Sequence, residues 1–285
     1  MLMKRLLFSL SLPVLFALPA ASQTYEQLCE RAATAIERDS LDAAEAAIRA
    51  ALRLDPANGR NALLFANLGT VQRLRGQLRP ALESYTYALN LAPRNVPILL
   101  DRAALYLELG EAEPARVDYS LVLDIQPDNT EALRMRAYIY VESRDYKSAR
   151  ADYDHLLRLQ PADYNGRLGL AMLCQKEGKL AEALAILDGM VQEKSEGTSL
   201  QTAPAHAVVY VARAGIQQEL GNIPMALMDL EEAIRLDSSR PEAYLMRGQI
   251  RLSRGDKKEA RADLEKAVEL GLPAADVAEL IARCR

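Results

Sequence analysis

Residues 149–161 read ARADYDHLLRLQP, and shortened copies recur as ARVDY at 115–119 and ARADL at 260–264. The first two copies start 34 residues apart and the last two 111 apart, which is three times 34 plus 9. Two weaker copies and one nine-residue insertion are therefore expected in between. Both copies are present, ALAIL at 183–187 and ALMDL at 226–230, and others stand upstream as ALESY at 81–85 and AEAAI at 44–48. The string belongs to a seven-fold repeat with units 25–58, 62–95, 96–129, 130–163, 164–197, 207–240 and 241–274.

Counting from the first residue of each repeat, position 8 is small throughout: Ala32, Gly69, Ala103, Ala137, Ala171, Ala214 and Gly248. Position 20 is alanine in all seven repeats, and position 24 is large: Ile48, Tyr85, Tyr119, Tyr153, Leu187, Leu230 and Leu264. Small residues at 8 and 20 let two antiparallel helices cross closely. The large residue one turn beyond position 20, on the same face, fills the space beside the crossing. Proline at position 32 (Pro56, Pro93, Pro127, Pro161) stops the second helix, because it can neither donate an amide nor fit the helix interior. Gly76, Gly110, Gly178, Gly221 and Gly255 mark the turns between helices. A helix pair of this size cannot bury its apolar face alone, so neighbours must stack.

A 34-residue helix–turn–helix unit with this pattern resembles the tetratricopeptide repeat, over about 25–274. The resemblance implies an all-α, right-handed superhelical solenoid of seven units. Position 4 lacks the family's Trp in every unit, and position 32 is Ser195 in the fifth and Ser238 in the sixth. The domain reading is units 1–5 over 23–197, an insertion loop at 198–206, units 6–7 over 207–274 and a capping helix at 275–285. The insertion is expected to be a mobile loop or a joint between two sub-arrays. In the final segment, Val277, Leu280 and Ile281 share one face, suited to covering the end of the array.

The N-terminus, MLMKRLLFSLSLPVLFALPAASQ, has the anatomy of a secretory signal: Lys4 and Arg5, an apolar run from Leu6 to Leu18, then small residues. Residues 1–22 are read as a signal peptide cleaved after Ala21 or Ser22, and the apolar run is too short to span a membrane. A periplasmic destination is expected, with no membrane span after cleavage. Net charge is −4, or −6 once Lys4 and Arg5 are removed, and no basic block occurs, which argues against a nucleic-acid partner. Cys29, Cys174 and Cys284 fall too far apart in the array for bridges and read as small core residues, Cys284 being the one expected to be exposed.

Chemistry-bearing patterns are sparse. The two histidines, His155 and His206, stand in no metal-spaced cluster, and no nucleotide loop, nucleophile elbow or paired Cys-x-x-Cys occurs. The expectation is a non-catalytic protein with no cofactor and no metal. His155 reads as a helix-surface or inter-repeat residue. The recurring aspartate at position 23 (Asp118, Asp152, Asp229, Asp263) appears only where position 7 is arginine (Arg102, Arg136, Arg213, Arg247). These sixteen-residue pairs are expected to form structural bridges between the two helices of one repeat.

Binding is the function the resemblance implies, with positions 2, 5, 9, 12 and 13 of each first helix lining a concave groove. That face offers Arg73, Leu100, Leu107, Arg134, Tyr138, Asn165, Leu168, Met172, Gln175, Gln218 and Gln249, and also Thr70, Ala104, Glu142, Val211 and Leu245. Apolar groups supply energy and amides orient a backbone, which suits an extended or helical polypeptide partner. Repeats 3–5 are its expected centre. The two-carboxylate clamp of co-chaperone members is not matched: around Asn67 stand Cys29, Ala33, Pro97 and Asp101. The alternatives are self-association and an accessory domain of an envelope enzyme complex.

Overall fold

A computed structural model describes residues 24–195 and 203–285; the leader and residues 196–202 of the insertion region lie outside the described residues. The described chain is an all-α helical repeat solenoid. Its helices, in order, are α1 Tyr25–Glu37, α2 Leu41–Leu54, α3 Asn61–Leu74, α4 Leu78–Leu91, α5 Val96–Glu108, α6 Ala112–Ile125, α7 Thr130–Glu142 and α8 Tyr146–Leu159. They continue as α9 Tyr164–Lys176, α10 Leu180–Ser195, α11 Ala203–Glu219, α12 Ile223–Leu236, α13 Pro241–Ser253, α14 Lys257–Glu269 and α15 Ala274–Arg283. Each odd-numbered helix up to α13 is the first of a repeat and each even-numbered one the second. Among the described residues no helix is long and apolar enough to cross a membrane.

The chain forms two compact units that divide within α5, between Leu105 and Tyr106, rather than at the insertion. In the first, α1 packs on α2 and α3 on α4 around Leu28, Ala32, Ile48, Leu64 and Leu68. The Tyr25 hydroxyl donates to Asn61 Oδ1 at 3.0 Å inside this core, so the partly polar aromatic is satisfied where it is buried. In the second, successive pairs from α7/α8 to α13/α14 stack. Helices α10 and α11, on either side of the insertion, pack together inside this unit. Helix α11 also begins at Ala203, so residues 203–206 of the expected loop are helical.

The repeat positions act as their sizes require. A Cβ on Gly69 would come within 2.9 Å of the Tyr85 ring, and one on Gly248 within 3.0 Å of Leu264. Positions 8 and 24 therefore leave no room for each other to grow. Position 15 closes each turn with a left-handed residue. It is glycine in five repeats but Asp39 (φ 54°) in the first and Arg144 (φ 63°) in the fourth.

Helix α15 packs on α13 and α14 through buried Val277 and the partly buried Leu280 and Ile281. Cys284, expected to be exposed, is buried beside Ala260 and Leu264, and its Sγ lies 3.2 Å from the Leu280 carbonyl. The capping helix carries its last turn over the array end, which covers this thiol. All three cysteines are free thiols.

Candidate partner-binding site

Three of the sixteen-residue pairs meet in the second compact unit. Arg136 donates from Nε and Nη2 to the two Asp152 oxygens, both at 2.8 Å. Arg213 grips Asp229 the same way at 2.9 and 2.6 Å, and Arg247 grips Asp263 at 3.0 and 2.7 Å. The aspartates are buried and their guanidinium partners mostly so. For the fourth pair, Arg102 lies in the first unit, where Nη1 reaches Thr86 Oγ1 at 3.4 Å, and Asp118 is buried in the second.

A further partner of these arginines was not anticipated. Arg136 Nη1 also donates to Ser120 Oγ at 3.2 Å and Arg213 Nη1 to Asp188 Oδ1 at 2.8 Å. Thr86, Ser120 and Asp188 all occupy position 25 of the preceding repeat, so each arginine also holds the second helix before it. The separations are 16, 16 and 25 residues, and 25 is 16 plus the nine-residue insertion. An oxygen-bearing side chain at that offset was the available signal. Arg150 makes a comparable inter-repeat node, bonding Glu182 Oε1 at 2.8 Å and the Glu177 carboxylate. The Arg150 hydrogen bond holds the Glu177 carboxyl below the usual range. Burial pushes up the Cys174 thiol beside it, although Arg150 Nη2 donates to its Sγ at 3.2 Å.

With charge committed to stapling helices, the open chemistry lies on the first helices. Helices α7 and α9 pack side by side, and between them lies a concavity of about 490 Å³. Five of the expected groove residues line it: Arg134, Tyr138, Asn165, Leu168 and Met172, together with Glu142. Tyr138 and Met172 are each 48% exposed and line the same recess, so one ligand could cover both large apolar groups together. Three side-chain caps start the helices here: Asn129 accepts from Ala132 N at 2.9 Å, Asp145 from Ser148 N at 3.2 Å and Asp163 from Gly166 N at 2.6 Å. Each satisfies an amide that the first helical turn leaves free.

The floor was not expected. Tyr153, from α8, reaches beneath α9 because Gly169 has no side chain: a Cβ there would lie 2.4 Å from the Tyr153 hydroxyl. Burial pushes the Tyr153 phenol up to about 12. Position 6 glycine facing a position 24 tyrosine was the missed signal, with Met135 and Val141 completing the lining. The remaining groove candidates lie elsewhere. Arg73 and Leu100 belong to the first compact unit, and Leu107 is half-buried near the end of α5. Gln175 Nε2 donates to Glu219 of α11, while Gln218 and Gln249 are exposed. His155 Nε2 lies 2.8 Å from Asp128 Oδ1 in the loop between α6 and α7, an inter-repeat contact. Among the described residues no cluster of three His, Cys, Asp or Glu could hold a metal ion.

The tetratricopeptide repeat model matches residues 134–197 and 212–275, and the first match contains every residue of the concavity. The chain is also similar to the crystal structure of a tetratricopeptide repeat protein from Parabacteroides merdae. Identity is 33%, 92% of this chain and 99% of that one are covered, and the TM-score is 0.77. The chain belongs to the tetratricopeptide repeat family. Two other structures share the fold of this tetratricopeptide repeat protein at low identity. One is a chain of the APC/C hetero-tetramer Cut9–Hcn1, with 12% identity over 91% of this chain and 55% of that one and a TM-score of 0.65. The other is PilF of Pseudomonas aeruginosa, with 18% identity over 77% and 94% and a TM-score of 0.58. No curated protein matches the chain.

Proposed function

We propose that this tetratricopeptide repeat protein is an exported, non-catalytic scaffold that holds a polypeptide segment in the cleft between α7 and α9. The observation that carries the reading is that concavity, where exposed Tyr138 and Met172 line a recess floored by buried Tyr153. Covering two such side chains would contribute roughly 1.5–3 kcal/mol each if burial were complete, enough for a central contact. Charged groups such as Arg136, Arg213 and Arg247 are paired helix to helix, which fits a scaffold better than a reactive site. Export rests on the basic, apolar and small-residue order of 1–22.

A photo-reactive amino acid in place of Tyr138 tests the groove against the same probe at Ala151, exposed on α8. The reading expects a discrete cross-linked partner from position 138 and none from 151; equal labelling at both would sink it. N-terminal sequencing of the envelope-purified chain is expected to begin at Ser22 or Gln23. Recovery of an intact leader in the cytoplasm would overturn the export reading.

A further inference from the structure

The charges around the concavity are not equivalent. Arg134 is held by Asp163, with Nη1 3.5 Å from Oδ2, and that carboxylate also caps α9. Glu142 lines the same concavity, is exposed, and makes no hydrogen bond or ion pair among the described residues. Asn165 is likewise exposed with its amide uncommitted among the described residues. The site therefore offers an apolar recess, one free amide and one free negative charge, while its positive charge is neutralised locally.

Spacing converts that inventory into a pattern. Tyr138 and Glu142 are four residues apart on α7, about 6 Å along its axis. An extended chain advances roughly 3.3 Å per residue and places side chains i and i+2 on the same side, about 6.6 Å apart. A segment lying along the cleft can thus seat one large apolar side chain over Tyr138 and Met172 and present its second neighbour to Glu142. Charge complementarity requires that neighbour to be a cation.

Resting on the groove reading above, we infer that the α7/α9 cleft selects polypeptide segments in which a large apolar residue is followed or preceded, two positions away, by lysine or arginine.

The test is fluorescence anisotropy of the purified chain with three labelled peptides of identical Gly-Ser flanks, centred on Phe-Gly-Lys, Phe-Gly-Glu and Ala-Gly-Lys. Phe-Gly-Lys is expected to bind roughly fivefold tighter than Phe-Gly-Glu, the scale of an exposed ion pair replaced by repulsion. Ala-Gly-Lys is expected to lose about tenfold or more with the apolar contact. Glu142→Lys sits at the C-terminal end of α7, where a cation suits the helix dipole, so this variant keeps its fold. It should reverse the preference to Phe-Gly-Glu. Equal binding of the two phenylalanine peptides, a preference that survives Glu142→Lys, or no binding of Phe-Gly-Lys would each overturn the inference. The groove reading fails separately, on absent cross-linking from position 138. A discrete partner there whose labelled segment lacks an apolar–basic pair leaves the groove and removes only the selectivity.

Discussion

Repeats 4 and 5 are neighbours with the same length and helix register, yet they are held by different means. Repeat 4 clamps α7 to α8 with the two-bond Arg136–Asp152 pair. Repeat 5 places Leu170 and Ile186 at those positions and builds its contact with α8 from glycine. A Cβ on Gly166 would lie 2.7 Å from a Leu156 methyl and one on Gly169 2.4 Å from the Tyr153 hydroxyl. Charge fixes one repeat internally; missing side chains let the next press against it. The turns differ too, left-handed at Arg144 in repeat 4 and at Gly178 in repeat 5. The contrast teaches that helix pairing in this array does not need an ion pair, whereas the cleft floor does need a glycine.

Breaking the clamp should have the largest effect. Arg136→Ala strands the buried Asp152 carboxylate, and since the guanidinium is partly exposed the cost falls near the lower end for such pairs, about 3 kcal/mol. Chemical denaturation should show this as a lower midpoint. A loss under about 0.5 kcal/mol would place the pair among ordinary surface bridges.

The glycine side of the comparison comes next. Gly169→Ala gains about 1 kcal/mol of helix propensity but overpacks Tyr153, for a net loss of about 1–2 kcal/mol. The cause can be checked in a Tyr153→Leu background, since leucine is the residue of that position in repeats 5–7. There Gly169→Ala should become neutral or stabilising in thermal unfolding. An equal loss in both backgrounds would mean that the tyrosine is not what the glycine accommodates.

How much of this was readable beforehand follows from what each feature repeats. Ala149, Tyr153 and Pro161 recur at fixed positions because every repeat solves the same packing problem, so the helices and their register were legible. The Arg136–Asp152 spacing was legible because both partners vary together among the repeats. Ser120 and Asp188 escaped because serine and aspartate share only a hydrogen-bonding oxygen, and the insertion shifts one offset from 16 to 25. The groove was placed by resemblance, and its five central residues do line one concavity. Its floor was hidden because Gly169 is informative only once Tyr153 lies beneath it. Cys284 was misread because burial by the last turn of a capping helix has no counterpart in the other repeats.

The turn difference predicts a gain. Arg144 holds a left-handed φ of 63°, which costs a side-chain-bearing residue roughly 1 kcal/mol and glycine almost nothing. Arg144→Gly should therefore raise stability by about 0.5 kcal/mol after the entropy of the more flexible unfolded chain is counted. No change in the unfolding midpoint would mean that the unfolded-state entropy cancels the relief.

The smallest expected effect is the most discriminating. Arg136→Leu with Asp152→Ile gives repeat 4 the residues that repeat 5 carries at the same positions, Leu170 and Ile186. Removing both charges strands neither, and apolar replacements of buried ion pairs are commonly neutral or stabilising. The double variant should lie within about 1 kcal/mol of the parent although Arg136→Leu alone costs about 3 kcal/mol, so adding Asp152→Ile should recover roughly 2–4 kcal/mol. Ser120 loses a bond to Arg136 in both variants, so that term cancels from the difference between them. If the double variant were as unstable as the single one, the pair would be irreplaceable in repeat 4. The equivalence of the two ways of joining these helices would then be wrong.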